Sequence, residues 1–147
     1  LSRGAAKVYA VDVGHGQLAW SLRQDDRVIV LEKTNVRALE REQIPEAPAI
    51  LVADLSFISI MLALPAAMAL AAPGALLVSL ISQFEAGADQ VGKGGIVRDP
   101  AIHEAVCATI RTWLADEMGW EVLGLVESPV TGADGNREFL IAARKPT

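Results

Sequence analysis

Short continuous runs of apolar residues, separated by polar or glycine-containing stretches, set the pattern of the first half of the chain. Lys7 to Val11, Val28 to Leu31, Ile50 to Ala53 and Ala75 to Ile81 are such runs. Their length and their Val, Ile and Leu content predict buried strands. Between them, Gln17 to Arg23 predicts a short helix, and Val36 to Glu42 a polar helical turn or two stopped by Pro45. Ile58 to Ala72 is Ala- and Leu-rich and predicts a helix with Ser56 or Ser59 as N-cap. Asp99-Pro100 opens a helix running to about Met118, with Asp99 as N-cap, Pro100 in the first helical position and Gly119 at the C-cap. Glu121 to Val126 and Glu138 to Ala143 predict two last strands, split by a Gly-rich turn from Thr131 to Asn136. That connection is too short to hold a crossover helix, so the last two strands are antiparallel.

Alternation of strands and helices, with strands apolar throughout, implies an α/β fold with a mostly parallel sheet covered on both faces and an antiparallel last strand. The segment Leu1 to Ala5 reads as the end of a helix, with Gly4 as its C-cap. Lys7 to Val11 is therefore expected to be the second strand of a larger sheet whose first strand is missing from residues 1–147.

Composition narrows this picture. The chain has 147 residues, 52% hydrophobic and 21% charged, which suits one globular domain. Its net charge of −5 argues against this piece alone gripping a nucleic-acid backbone, which needs clustered cations. The single Cys107 excludes an internal disulfide and suits a reducing, cytoplasmic setting. Phe57 to Ile81 has no charged residue, but Pro65, Pro73 and Gly74 punctuate it, so two elements explain it better than a membrane span. The first residues lack the pattern of a signal peptide.

In open parallel sheets, ligands bind at the carboxyl ends of the strands. Asp12, Glu32, Asp54 and Ser82 fall at those ends. Acids at three successive strand tips suit ribose hydroxyls or an amine, and would repel phosphate. Gly14-His15-Gly16-Gln17-Leu18-Ala19 matches a dinucleotide fingerprint, with Glu32 at the next tip, but Asp12 would face the pyrophosphate. Gly87 to Gly94 matches a phosphate-cradling loop, but Gly94 replaces the hydroxyl residue that holds Mg²⁺. A structural turn and a loop presenting Lys93 to a charged partner are the simpler readings. His15 and His103 are too far apart to suggest a metal site, and His103 is expected to be solvated. Cys107, Trp20, Trp113 and Trp120 read as packing residues. Asp54-Leu-Ser-Phe-Ile-Ser59 places an acid at a central strand tip before a helix cap, where this architecture does chemistry; capping of that helix by Asp54 is the alternative.

Several phrases together resemble the TlyA family, haemolysin-like proteins with an FtsJ-type methyltransferase domain that 2′-O-methylate ribosomal RNA. They are Tyr9-Ala-Val-Asp-Val-Gly14, Asp54-Leu-Ser-Phe-Ile58, Gln83-Phe-Glu85, Val91-Gly-Lys-Gly-Gly95, Val97-Arg-Asp-Pro100 and Gly135-Asn-Arg-Glu-Phe-Leu140. The resemblance covers essentially the whole chain. It implies a Rossmann-like S-adenosylmethionine-dependent methyltransferase fold. It also implies S-adenosylmethionine as cofactor, ribosomal RNA or ribosomal subunits as partners, and no membrane. By the resemblance, Asp12 and Glu32 lie on the cofactor's adenosine side. Asp54 lies near the methyl donor and in the catalytic set, and Glu138 matches the final catalytic glutamate of a Lys-Asp-Lys-Glu set. Residues 1–147 are then one FtsJ-like domain, incomplete at its N-terminus, with the family's S4 RNA-binding domain absent. One departure is at the centre: Ile81-Ser82 precedes Gln83 where the family has Lys-Pro, so the central lysine is missing. That departure supports the alternative expectation, a catalytically inactive module for RNA or protein interaction.

Overall fold

Each apolar run of the sequence forms a strand. The computed structural model describes all residues except 13–17, 56–57, 83–84, 86–98 and 132–134. Its strands are β1 (Val8–Val11), β2 (Val28–Leu31), β3 (Ile50–Ala53), β4 (Leu76–Ile81), β5 (Glu121–Glu127) and β6 (Phe139–Arg144). The helices are α1 (Trp20–Arg23), α2 (Ile60–Ala63), α3 (Pro65–Leu70) and α4 (Pro100–Thr112), the last continued by a wider turn over Trp113–Glu117.

The strands fall into two groups. β1 pairs with β2 in parallel, and a four-stranded sheet has the order β3-β4-β6-β5. β3 and β4 are parallel, while β6 runs antiparallel to both β4 and β5. The expected antiparallel ending is present, and β6 inserts between its predecessor β5 and the parallel strands. Among the described residues, no strand pairs with the second edge of β1 or of β3.

Helix boundaries follow local chemistry. Ser59 caps α2 by accepting from the Met61 amide at 3.1 Å. Pro65 then ends α2 and starts α3, because it has no N–H for the preceding turn. The predicted continuous helix from residue 58 to residue 72 is therefore two short ones. Asp99 caps α4 by accepting from the Ala101 amide at 2.9 Å, with Pro100 in the first helical position. Gly119 closes the far end with φ +70, a conformation that costs a residue with a Cβ. The polar stretch after β2 forms only a single turn, Val36–Ala38.

The core lies on one face of the four-stranded sheet. Leu77, Ile81, Ile141 and Ala143 of the sheet pack with Ile60, Leu64, Met68, Ile110, Trp113, Leu114 and Trp120. On the other face, Ile50 is 62%, Val52 79% and Val126 60% exposed. Coverage on both faces, expected from the apolar strands, is thus not met in this sheet: α2, α3 and α4 all pack on the same side. Two single-residue expectations also change. Trp20 is exposed rather than packed. His103 is half-buried, its ring 5.7 Å from that of Phe139, rather than solvated. Cys107 does pack against the core, where burial pushes its thiol up. Among the described residues, no helix is long and apolar enough to cross a membrane.

A candidate methyl-transfer site at the carboxyl edge of the sheet

Strand direction places the acids at strand ends of one kind. Asp12 follows β1, Glu32 follows β2 and Asp54 follows β3, so all three stand at carboxyl ends of parallel strands. β6 runs the other way, and its first residue Phe139 is opposite Ile81, the last of β4. Glu138, just before β6, therefore enters the same edge.

On the β1–β2 side, the backbone links the tips directly. The Asp12 amide donates to the Leu31 carbonyl at 3.0 Å, and the Thr34 amide donates to the Asp12 carbonyl at 2.9 Å. The Thr34 hydroxyl donates to the Glu32 carbonyl at 2.9 Å. Glu32 is largely shielded and ion-paired with Arg23 of α1. Lys33, next to it, has φ +51, left-handed backbone that a lysine adopts at some cost.

On the β3–β6 side, the charge of one carboxylate reaches the other. Glu138 is half-buried, and its carboxyl is raised above the ordinary value, first by burial and then by the negative charge of Asp54. The approach to Glu138 is built firmly. Gly135 turns the chain with φ +80, Asn136 is 1% exposed, and Arg137 pairs with Glu127. The Ser128 amide donates to the Glu138 carbonyl at 2.8 Å, tying it to the end of β5.

Glu85 is a residue that sequence reasoning left without a role. Its carboxylate accepts from the Ser59 hydroxyl at 2.6 Å and from the Ile60 amide at 2.7 Å. The signal was present in Gln83-Phe-Glu85, but only the fold shows what the acid reaches.

The lysines matter because the site holds acids. Lys7 precedes β1 and Lys145 follows β6, so both lie at the opposite edge of their sheets. Lys7 pairs with Glu46, and Lys145 donates to the Met68, Ala69 and Ala71 carbonyls of α3 and its exit. At the end of β4, where the resemblance calls for lysine, Ile81 is buried in the core and Ser82 follows. Gly14 to Gln17 of the dinucleotide-like motif and the Gly87 to Gly94 loop with Lys93 lie outside the described residues.

The chain is similar to known proteins over its whole length. The chain is 49% identical over its full length to the 16S/23S rRNA (cytidine-2′-O)-methyltransferase TlyA of Mycobacterium tuberculosis, of which it covers 55%. It spans about half the length of the curated relatives it matches. A solved candidate hemolysin from Streptococcus thermophilus is 46% identical and superposes with a TM-score of 0.92, over 99% of this chain and 53% of that one. A candidate S-adenosylmethionine-dependent methyltransferase from Listeria monocytogenes, 16% identical, shares the fold with a TM-score of 0.68, over 99% of this chain and 83% of that one. The fold is thus the α/β fold of S-adenosylmethionine-dependent methyltransferases. The FtsJ-like methyltransferase family matches residues 1–145, and this chain belongs to that family.

Proposed function

We propose that this chain is the larger part of the catalytic domain of an S-adenosylmethionine-dependent ribosomal RNA 2′-O-methyltransferase. The observation that supports the reading is the placement of Asp54, after β3, and Glu138, before antiparallel β6, at one edge of the four-stranded sheet. Identity to an rRNA cytidine-2′-O-methyltransferase supports the substrate class.

The donor set fits the cofactor. Asp12 and Glu32 at adjoining tips offer carboxylate acceptors to ribose hydroxyls, and the described cation there, Arg23, is paired with Glu32. A shielded Glu32 is a strong acceptor once Arg23 shares it, because little water competes. When bound, S-adenosylmethionine supplies an electrophilic methyl group on a cationic sulfur. Paired carboxylates at Asp54 and Glu138 favour positive charge beside them and give the incoming 2′-hydroxyl acceptors for its proton. Orientation of that hydroxyl is their main contribution, since a fixed attack geometry removes much of the entropic barrier.

The unpaired edges of β1 and β3, with the bare apolar face of Ile50 and Val52, fit a further strand and helix from the N-terminal side of the same protein. An S4-type RNA-binding domain supplied there would give the basic surface that a chain of net charge −5 lacks. The protein then works in the cytoplasm, on ribosomal RNA or ribosomal subunits.

Ile81-Ser82 favours a second reading, in which the domain keeps the fold and docks RNA or protein without catalysis. The two separate in one experiment. Protein of full encoded length is incubated with ribosomal RNA, assembled subunits and methyl-labelled S-adenosylmethionine, and 2′-O-methylation is read by resistance of the adjoining linkage to alkali. Label in the RNA supports methyl transfer. Tight RNA binding without label supports the docking module.

A further inference from the structure

Resting on the reading of this edge as a methyl-transfer site, we propose that Glu85 is a positioning residue, which fixes the chain beyond Asp54 by clamping the start of α2. The Glu85 amide donates to the Ser82 carbonyl at 3.1 Å, tying Glu85 to the residue just beyond β4. From there its carboxylate reaches α2. One oxygen accepts from the Ser59 hydroxyl at 2.6 Å and the other from the Ile60 amide at 2.7 Å. The same Ser59 oxygen accepts from the Met61 amide at 3.1 Å. Glu85, Ser59 and the first turn of α2 thus form one partly buried network. Charge-assisted bonds of this length are the strong, geometrically strict kind.

The network matters because of what it brackets. Asp54 is joined on one side to Ala53, which pairs with Ser79 of β4. On its other side, the chain reaches Ser59, which is held by Glu85 beyond the end of β4. Glu138 is registered on β4 as well, through Phe139 opposite Ile81. β4 and its exit therefore set the position of both site carboxylates. Both oxygens of Glu85 are already engaged by donors, so it serves geometry rather than proton transfer. Without the clamp, the segment after Asp54 loses its outer anchor and a site that depends on orientation slackens.

Glu85→Ala, Glu85→Gln and Ser59→Ala in the full-length protein test this, each assayed below its own melting temperature. Glu85→Ala is expected to lower kcat about tenfold or more, with KM for RNA changed less than about threefold. Glu85→Gln is expected to restore most of kcat, because its amide accepts from Ile60 and donates to Ser59. Unchanged kcat in Glu85→Ala overturns the proposal, and so does loss of activity in Glu85→Gln equal to that in Glu85→Ala. Should Glu85→Ala not fold, reduced kcat in Ser59→Ala with retained kcat in Glu85→Gln supports the clamp, and any other pairing overturns it. If the unmodified protein transfers no methyl group, the functional reading fails. The clamp is then judged by NMR titration of Glu138. Loss of the Asp54-dependent shift in Glu85→Ala, with recovery in Glu85→Gln, upholds it, and an unaltered shift overturns it.

Discussion

The charge of Asp54 reaches Glu138 across a strand to which neither belongs. Asp54 follows β3 and Glu138 precedes β6, and β4 lies between those strands. Burial, and then the charge of Asp54, hold the Glu138 carboxyl above its ordinary value of 4.5. A half-buried carboxyl under a neighbouring negative charge destabilises the fold slightly, as functional sites commonly do.

That relationship has a pH signature. The folded value of Glu138 lies above its unfolded value, so the native state binds more protons between the two. Stability is fully present below the ordinary value of 4.5 and declines as pH rises through the folded value. Glu138→Gln removes this decline. Thermal melts are expected to show a variant with Tm equal to the unmodified protein near about pH 4 and above it at about pH 7. A Tm difference that does not change with pH would show that the two carboxylates do not interact.

Catalysis should respond in the opposite direction. Asp54→Ala and Glu138→Ala in the full-length protein are expected to lower methyl transfer about a hundredfold or more, as loss of positioning groups does. Tm should not fall, since Asp54 is exposed, Glu138 is only half-buried and loss of either charge relieves the raised carboxyl. Full activity in either variant removes that residue from the site.

Cofactor binding is expected to depend on both groups of strands. Calorimetry on the full-length protein should show S-adenosylmethionine binding, weakened about tenfold by Asp12→Ala or by Glu32→Ala, the loss of one charged hydrogen bond each. Residues 1–147 alone should bind weakly, because the edges of β1 and β3 stay open. Those edges also invite association between chains. Val52→Lys, which places a charge on an exposed position of β3, should reduce light scattering by the isolated chain.

Lys145 offers a control far from the chemistry. Its ammonium donates to the Met68 and Ala71 carbonyls, each at 2.8 Å, and closes the end of α3. Lys145→Met is expected to cost about 1–3 kcal/mol in urea unfolding. Methyl transfer by the folded protein should not change, because Lys145 stands at the opposite edge of the sheet from Asp54. A selective fall in kcat would mean that the two edges are coupled.

Much of this was legible in the linear pattern. Strands appear wherever Val, Ile and Leu run together, because a buried strand needs apolar side chains on both faces. The caps Ser59 and Asp99 were readable because a short polar side chain before an apolar run satisfies free helix amides. The break at Pro65 was written in the residue itself, yet the Ala- and Leu-rich context masked it. Trp20 and His103 were misplaced because residue type alone does not say which neighbour a side chain meets. One lies on an exposed short helix, and the other has Phe139 beside it.

What the sequence determined by itself is local: the apolar runs, the turn residues, the acids at strand tips and the motifs that mark the family. Local chemistry reaches only a few residues along the chain. The insertion of β6 between β4 and β5, the crowding of helices on one face, the shared charge of Asp54 and Glu138 and the reach of Glu85 to Ser59 are decided by tertiary structure. Each depends on which strands pair and in which register, and pairing is settled by the burial of the whole core, in which Leu77 and Ile141 must face the same helices.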